Sequence, residues 1–373
     1  MWRRLGAGLL ASVVLASSSV VLVPSPAAAF GTIEGGGQNR EHDRITRAAV
    51  ACPAGTSSDS TCFEPRTADQ LAGHGKKFGA IGSPDLTEVS DPTAHCDDAD
   101  FLVSGYPRTR DEATASLLDC VSHLRGRFRE ATDEAGDLLD DKGHIVAAEV
   151  SLDLDCELAE HEQRAKCRSL EGFGRALHGA QDFYSHSNWA DEADPARPIG
   201  ADNPPGLNLP APSPVLDLRG SGAPTVPPDL TTGCYVLRDS VPGVGVCERR
   251  VSHAGLNKDL GLVDQNTGST ASPTTPRGKV GSNFAKAVAG AIVETRHQWQ
   301  EFRAALEANY GAEEASLMVC ALTRDDPSND CGSQSRTAAL VIGGVLCGVL
   351  AVGLLVFGVY RRRRAGRPVR SPP

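Results

Sequence analysis

Apolar residues recur every three or four positions over several long stretches, which is the spacing of one face of an α-helix. The longest such stretch is 110–141, where the residues at this spacing are Leu117, Leu118, Val121, Leu124 and Phe128. The same pattern predicts helices over 42–52, 167–189 and 283–310. The sequence therefore predicts a mainly α fold.

Few stretches show the alternation that is typical of a β-strand. The segment 233–251 predicts a small hairpin, closed by a disulfide between Cys234 and Cys247. The segment 190–230 predicts an irregular surface excursion, because its many prolines lack a backbone donor and interrupt periodic structure. A second polar loop is predicted over 265–282.

Residues 1–29 have the pattern of a secretory signal peptide. Arg3 and Arg4 precede an apolar run, which ends in three alanines that fit the cleavage signal. Cleavage after Ala29 would make Phe30 the first residue of the mature chain. The domain that follows is therefore expected outside the cytoplasm.

The C-terminal part of the chain predicts a single membrane span. Residues 338–360 carry no charged side chain, and four arginines follow at 361–364. A helix of this length crosses an apolar layer of roughly 30 Å, and the arginines place the C-terminus in the cytoplasm. We predict a transmembrane helix over 337–360 and a basic cytoplasmic tail over 361–373, with residues 30–336 outside the plasma membrane. A buried helix of a soluble protein is the alternative.

Ten of the eleven cysteines lie in the predicted outer domain, where an even number of cysteines predicts disulfides. Pairing neighbours along the chain is the simplest connectivity, although the sequence leaves others open. It gives Cys52–Cys62, Cys96–Cys120, Cys156–Cys167, Cys234–Cys247 and Cys320–Cys331. No C-x-x-C pair occurs, so histidines and carboxylates remain as candidate metal ligands.

The formal net charge of −10 argues against a nucleic-acid-binding surface that relies on phosphate contacts. The basic tail would suit an anionic inner leaflet, but setting the orientation of the span is explanation enough for it. The expected partners are thus the membrane and a substrate rather than nucleic acid.

The segment "RALHGAQDFYSHSNWAD" (175–191) concentrates candidate chemistry. His178, Asp182 and His186 are spaced four residues apart and so lie along one face of the predicted helix. Two imidazoles and a carboxylate on one stripe suit Zn²⁺, which takes nitrogen and oxygen ligands. A polar helix face or an N-terminal cap is the alternative that spacing alone leaves open.

The string "GRALHGAQDFYSHSNW" (174–189) resembles the central helix of the zinc-dependent phospholipase C and single-strand-specific nuclease superfamily. It is more similar still to the heterokaryon-incompatibility protein C family, whose "LH-x-x-QDFYSHSNW" it matches nearly letter for letter. Weaker similarity extends from Phe30 to about Glu301. The resemblance implies the helical fold of that superfamily and a site for two or three zinc ions.

The resemblance also implies individual ligands. Phe30, as the mature N-terminus, would offer its backbone amine and carbonyl, and "HCDDAD" (95–100) places Asp98 at a metal and as the proton acceptor. Asp97 and Asp100 are near alternatives to Asp98, and His95 is expected to be a neighbour rather than a ligand. The implied ligand set is Phe30, His42, Asp98, His123, His178, Asp182, His186 and His253, with Asp182 bridging.

The sequence departs from the phospholipase pattern after Asp182. The phospholipases place the next histidine six residues later, whereas His186 comes four residues later here. An H-x3-E pair occurs far downstream as His297 and Glu301, which makes these two residues further candidates for a third metal. Exposed or half-buried structural roles are the alternative for most of the implied ligands outside 178–186.

Three functions are consistent with these patterns. The first is a membrane-anchored zinc-dependent phosphodiester hydrolase, similar to phospholipase C, in which a metal-activated water attacks the phosphorus. The second is a non-catalytic cell-surface recognition or adhesion module with structural zinc. The third is a single-strand nuclease on the same scaffold.

Overall fold

Helix α6 (Ala165–His186) runs through the centre of the molecule, and all of its residues except Arg168 are buried. The structure is a computed structural model that describes residues 30–102, 105–158, 164–235 and 247–331. Two long helices, α4 (Arg110–Glu134) and α8 (Asn283–Tyr310), pack against α6. The buried apolar side chains of these three helices form the core.

The fold is mainly α, as predicted. Besides α4, α6 and α8, the helices of the described residues are α1 (Glu41–Val50), α2 (Pro65–Ala72), α3 (Pro84–Thr87), α5 (Ala147–Val150), α7 (His253–Leu256), α9 (Ala312–Thr323) and α10 (Pro327–Asp330). Three antiparallel pairs of two-residue strands complete it: β1 (Glu34–Gly35) with β2 (Gln38–Asn39), β3 (Gly73–His74) with β4 (Lys77–Phe78), and β5 (Leu262–Val263) with β6 (Thr270–Ala271).

The four predicted helices are present, three of them with shifted ends. Helix α8 has the predicted bounds, whereas α4 ends at Glu134 instead of 141 and continues as a 3₁₀ turn at Ala135–Leu138. A capping box between Thr109 and Glu112 begins α4. Helix α6 ends three residues before the predicted 189, because Ser187 is extended.

The proline-rich segment 190–230 is largely irregular, with one 3₁₀ turn at Pro214–Leu216. It is not wholly a surface excursion, however, since Val215, Leu216 and Leu218 are buried in the core. Helices α2 and α9 and the pair β5–β6, whose second strand lies in the predicted loop 265–282, were not predicted.

All five predicted disulfides are confirmed. They join Cys52 to Cys62, Cys96 to Cys120, Cys156 to Cys167, Cys234 to Cys247, and Cys320 to Cys331. Neighbouring cysteines therefore pair throughout, and each bridge closes a short loop.

The segments that bear on the membrane lie outside the described residues. These are the predicted signal peptide (1–29), span (337–360) and basic tail (361–373). Residues 236–246 of the predicted hairpin also lie outside the described residues. Within the described ranges, no helix is both long and apolar enough to cross a bilayer.

Candidate metal centre

Helix α6 presents His178, Asp182 and His186 to the interior along one face, as their spacing predicted. All three side chains are buried, and His178 Nε2 lies 3.1 Å from Asp182 Oδ2. The helix ends at His186, so its last turn carries the third of these groups.

Two glycines of α6 allow other segments to reach these residues. A Cβ on Gly174 would lie 2.5 Å from the Ala80 carbonyl carbon, and one on Gly179 would lie 2.5 Å from the Ala94 carbonyl oxygen. The first approach brings the carbonyl of Ile81 to His178, and the second brings His95 beside Asp182. The close packing at Gly174 and Gly179 therefore helps to build the site.

The first cluster consists of His42, His95, His178 and Asp182, with Asp85 at its edge. His42 Nε2 lies 3.1 Å from Asp182 Oδ1, and His95 Nδ1 lies 3.1 Å from Asp182 Oδ2. His95 Nδ1 and His178 Nε2 are 3.0 Å apart, and Asp85 Oδ1 is 3.7 Å from His178 Nε2. Imidazoles from α1, α6 and a loop thus surround one carboxylate.

Backbone carbonyls fix which nitrogens of His178 and His95 carry hydrogen. His178 Nδ1 lies 2.8 Å from the Ile81 carbonyl, and His95 Nε2 lies 3.3 Å from the Glu88 carbonyl. A carbonyl can only accept, so both nitrogens must donate. In the neutral rings, the other two nitrogens then turn their lone pairs toward each other and toward Asp182.

Gln181 fixes His42 in the same way. Its amide nitrogen donates to Thr46 and Thr295, each at 3.0 Å, which leaves its oxygen to accept from His42 Nδ1 at 2.8 Å. The neutral ring of His42 therefore turns the lone pair of Nε2 toward Asp182. This is the outer-shell arrangement that orients histidine ligands in metal sites.

The buried atoms at the centre of this cluster include two without hydrogen bonds. His42 Nε2 and Asp182 Oδ1 are close, yet their geometry makes no hydrogen bond between them or to another group. Leaving buried polar atoms unsatisfied is costly. A cation coordinated by these nitrogen and carboxylate donors would satisfy them, so the residues present fit a zinc ion.

The second cluster consists of Asp97, His186, His253 and Asp259, and all four are buried. His186 Nε2 lies 3.2 Å from His253 Nε2 and 3.3 Å from Asp259 Oδ1. On its other side, His186 Nδ1 lies 3.2 Å from Asp97 Oδ1 and from the His95 carbonyl. Ligand atoms of Asp97, His186 and His253 lie close enough together to share one ion.

The electrostatics of both clusters follow from burial and opposing charge. Burial raises the pKa of Asp182, but the neighbouring His178, His42 and His186 outweigh it and hold that pKa well below its usual range. Burial lowers the pKa of His95, but Asp182 prevails and raises it to about 9. The pKa of His186 is raised well above its usual value because Asp97 and Asp182 outweigh burial. The raised pKa values favour the protonated forms of His95 and His186 when no metal is bound, whereas burial and the charge of His42 lower the pKa of His178.

The structure brings Phe30, His42, His178, Asp182, His186 and His253 of the predicted set together. Phe30 is buried, with its ring centroid 5.8 Å from that of His42, and the Gly31 carbonyl accepts from the His42 amide. Whether the backbone of Phe30 binds a metal stays a prediction.

Asp98 belongs to neither cluster, which differs from its predicted place at a metal. Its Oδ1 accepts from the Tyr235 amide at 3.0 Å, and its side chain is 31% exposed. Cys96 and Asp98 both have left-handed backbone conformations, so the loop turns Asp97 inward in place of Asp98. The second alternative, Asp100, bonds with Arg108 and Arg250.

Three other predicted residues also lie apart from the clusters. His123 is half-buried on α4, 3.6 Å from a carboxylate oxygen of Glu88. On α8, Glu301 pairs with Arg219 and His297 is half-buried, while Thr295 faces Gln181. Residues two apart on a helix differ by roughly 200° in direction, so Thr295 and His297 face opposite ways.

Sequence reasoning missed or misjudged several groups at the site. His95 was expected to be only a neighbour, and Asp85, Asp259 and Gln181 were not among the predicted ligands. His95 lies in a turn and Asp85 in the four-residue helix α3, and neither gives a periodic signal. Only the folded backbone brings these two residues to α6, because they lie outside the helices that the sequence pattern predicts.

Comparison with family models, with curated proteins and with solved structures found no match for this chain.

Proposed function

We propose that this chain is a zinc-dependent phosphodiester hydrolase, similar to phospholipase C. The observation that carries the proposal is the pair His42 Nε2 and Asp182 Oδ1. These two buried atoms lie 3.1 Å apart without a hydrogen bond, next to the imidazoles of His95 and His178. The reaction class comes from the resemblance of 174–189 to the phospholipase C superfamily. The geometry supports a metal site, and the resemblance supplies the chemistry.

The two clusters would each hold one zinc ion. His42, His178 and Asp182 would bind the first, with His95 or Asp85 in reach, and Asp97, His186 and His253 would bind the second. Asp182 acts electrostatically on both clusters, since its charge raises the pKa of His42 and of His186. Zinc in such a pair supplies an activated water at neutral pH and polarises the phosphoryl oxygens.

In this proposal, Asp98 is the residue that accepts a proton at the edge of the site. It follows Asp97 directly, and its carboxylate is partly exposed to solvent. Burial and the charge of Asp97 raise the pKa of Asp98 despite its hydrogen bond from Tyr235. In this proposal Asp98 accepts the proton through an intervening water and is not itself a ligand.

The location that we propose is the outer face of the plasma membrane, anchored by residues 337–360. The five disulfides support an oxidising compartment. The signal peptide and the span rest on the sequence pattern alone. A membrane-tethered site would be held near phospholipids, which makes these the first substrates to test.

A second candidate function is a recognition module in which zinc only stabilises the fold. Complete burial favours it, because His42, His178 and Asp182 have no exposed surface at all. Structural zinc sites are closed by four protein ligands, whereas catalytic sites keep one position open. His95, Asp85 and Asp259 offer enough donors to close both sites.

The two functions are separated by assaying hydrolysis with the zinc-loaded full-length chain. The substrates are phosphatidylcholine vesicles, a chromogenic phosphodiester and single-stranded DNA, and the control is Asp182→Asn. Hydrolysis of either of the first two that is lost in Asp182→Asn supports the hydrolase. Cleavage of DNA alone favours the nuclease, and zinc binding without hydrolysis of any substrate favours the recognition module.

A further inference from the structure

Tyr235 lies against both clusters at once. Its ring centroid is 5.4 Å from that of His253 in the second cluster and 6.5 Å from that of His95 in the first. Of the described aromatic side chains other than histidine, Tyr235 alone makes ring contacts with both groups of candidate ligands. Its place next to Cys234 explains the contact, because the Cys234 carbonyl accepts from the His253 amide at 2.8 Å.

Hydrogen bonds hold this ring at both ends. The Tyr235 amide donates to Asp98 Oδ1 at 3.0 Å, and its hydroxyl donates to the Val89 carbonyl at 3.2 Å. Asp98 belongs to the loop that supplies His95 and Asp97, and Val89 follows Glu88, whose carbonyl accepts from His95. The ring is thus fastened to the two segments that position His95.

The exposure of Tyr235 and of the cluster residues indicates on which side of the clusters the ring lies. His95, His253, Asp97 and Asp182 are buried, whereas Tyr235 is half-buried. Asp98, which accepts a hydrogen bond from the Tyr235 amide, is also partly exposed. Tyr235 is therefore more exposed than the two histidines that its ring contacts.

We propose that the Tyr235 ring covers the metal centre on its solvent side and controls what reaches it. This inference rests on the proposed zinc site and deepens it. Any substrate, water or chelator that approaches from this side must pass the ring or displace it, which requires breaking the hydroxyl bond to Val89. Tyr235 is thus an access residue and not a ligand.

The experiment measures how fast zinc leaves the full-length protein when an excess of chelator is added. We expect Tyr235→Ala to lose zinc about 10-fold faster than the unchanged protein, in line with the effect of other groups that surround metal ligands. Tyr235→Phe keeps the ring and loses only the hydroxyl, so its rate should rise less. Equilibrium zinc content at saturation is expected to stay the same in both variants.

Tyr310 offers a matched control. It is also half-buried, and its hydroxyl also donates to a backbone carbonyl, that of Thr132, at 3.2 Å. Tyr310→Ala therefore removes the same atoms away from the clusters and should leave the rate of zinc loss within about twofold, since surface changes elsewhere do not touch the ligands.

The outcomes separate the inference from the proposed function. Full zinc loading with equal rates of loss in Tyr235→Ala, Tyr235→Phe and the unchanged protein would overturn the role of Tyr235 and leave the metal site standing. A well-folded protein that binds no zinc would overturn both. If Tyr235→Ala does not fold, the rate in Tyr235→Phe decides: a rise supports the cover, and no change contradicts it.

Discussion

Gln181 shows how a single neutral side chain can decide the chemistry of the site. Its amide is held by Thr46 and Thr295, so its oxygen must face His42 Nδ1. That contact sets the tautomer of His42 and directs Nε2 to Asp182. Gln181 binds no metal in this account, yet the first cluster depends on it.

Replacement of Gln181 by Leu is therefore expected to weaken zinc binding by about 10- to 100-fold. The measurement is a competition titration of the purified protein against a zinc-binding dye. Gln298→Leu is the matched control, because Gln298 is also buried and bonded, to Glu294 and the Leu216 carbonyl. Equal affinity in Gln181→Leu and Gln298→Leu would contradict the assigned role.

His95 predicts how the stability of the metal-free protein depends on pH. Its folded pKa of about 9 lies above the value of about 6.5 in an unfolded chain. The protonated ring therefore stabilises the fold fully below about pH 6.5, and this contribution is lost as the pH rises toward 9. The pKa values of His42 and His186 are raised too and act in the same direction, whereas burial lowers the pKa of Lys166 to about 7, which acts in the opposite direction.

The contribution of His95 to the unfolding free energy of the metal-free protein should thus fall by on the order of 3 kcal/mol between pH 6.5 and pH 9. Urea unfolding of the unchanged protein and of His95→Gln at several pH values measures this fall as the change in the difference between the two. Saturating zinc should remove much of the dependence, because the metal replaces the protons. An equal pH dependence of the metal-free unchanged protein and His95→Gln across this interval would show that His95 carries no such proton.

Among the elements, α6 is the one on which the site is built. It carries His178, Asp182 and His186, and its glycines let the segments that contain Ile81 and Ala94 approach. Helix α4 is connected to the same region by the disulfide between Cys120 and Cys96, next to His95 and Asp97. Packing of these elements, rather than any single one, sets the ligand geometry.

Gly179→Ala tests the close approach on α6. The added Cβ would lie 2.5 Å from the Ala94 carbonyl oxygen and 2.6 Å from Leu124, so the backbone before His95 must move. We expect a loss of about 1–3 kcal/mol in unfolding free energy, measured by urea denaturation, together with weaker zinc binding.

Gly126→Ala on α4 is the control for that substitution. Its Cβ would meet nothing within 4 Å, so the helix should gain about 0.5–1 kcal/mol because alanine loses less backbone entropy than glycine. Similar effects of both substitutions on stability and zinc affinity would mean that the contact at Gly179 is unimportant.

At the scale of the whole molecule, periodicity and cysteine spacing predict much of the architecture. The long helices, the mainly α class and the five disulfides are as predicted, because each depends on residues close together in sequence. The alignment of His178, Asp182 and His186 on one face has the same local origin.

The parts that could not be predicted depend on distant contacts. The choice of Asp97 over Asp98 depends on left-handed backbone angles at Cys96 and Asp98, to which their sequence gives no clue. His95 enters the first cluster only because Gly179 admits its segment. Burial of Val215 within a proline-rich segment likewise reflects packing against distant helices, which local pattern does not encode.

The central claim is that both clusters bind zinc, the first of them through Asp182. The most direct test is the zinc content of the purified full-length protein, measured by plasma mass spectrometry beside Asp182→Asn and Glu294→Gln. Glu294 is the control, since it is a buried carboxylate bonded to Tyr184 and Ser213 rather than to the clusters. We predict about two zinc ions per chain in the unchanged protein and in Glu294→Gln, and about one in Asp182→Asn, because the first cluster then loses the carboxylate that its histidines share, whereas the second keeps Asp97 and Asp259. A folded protein without zinc, or equal zinc in Asp182→Asn, would contradict the account.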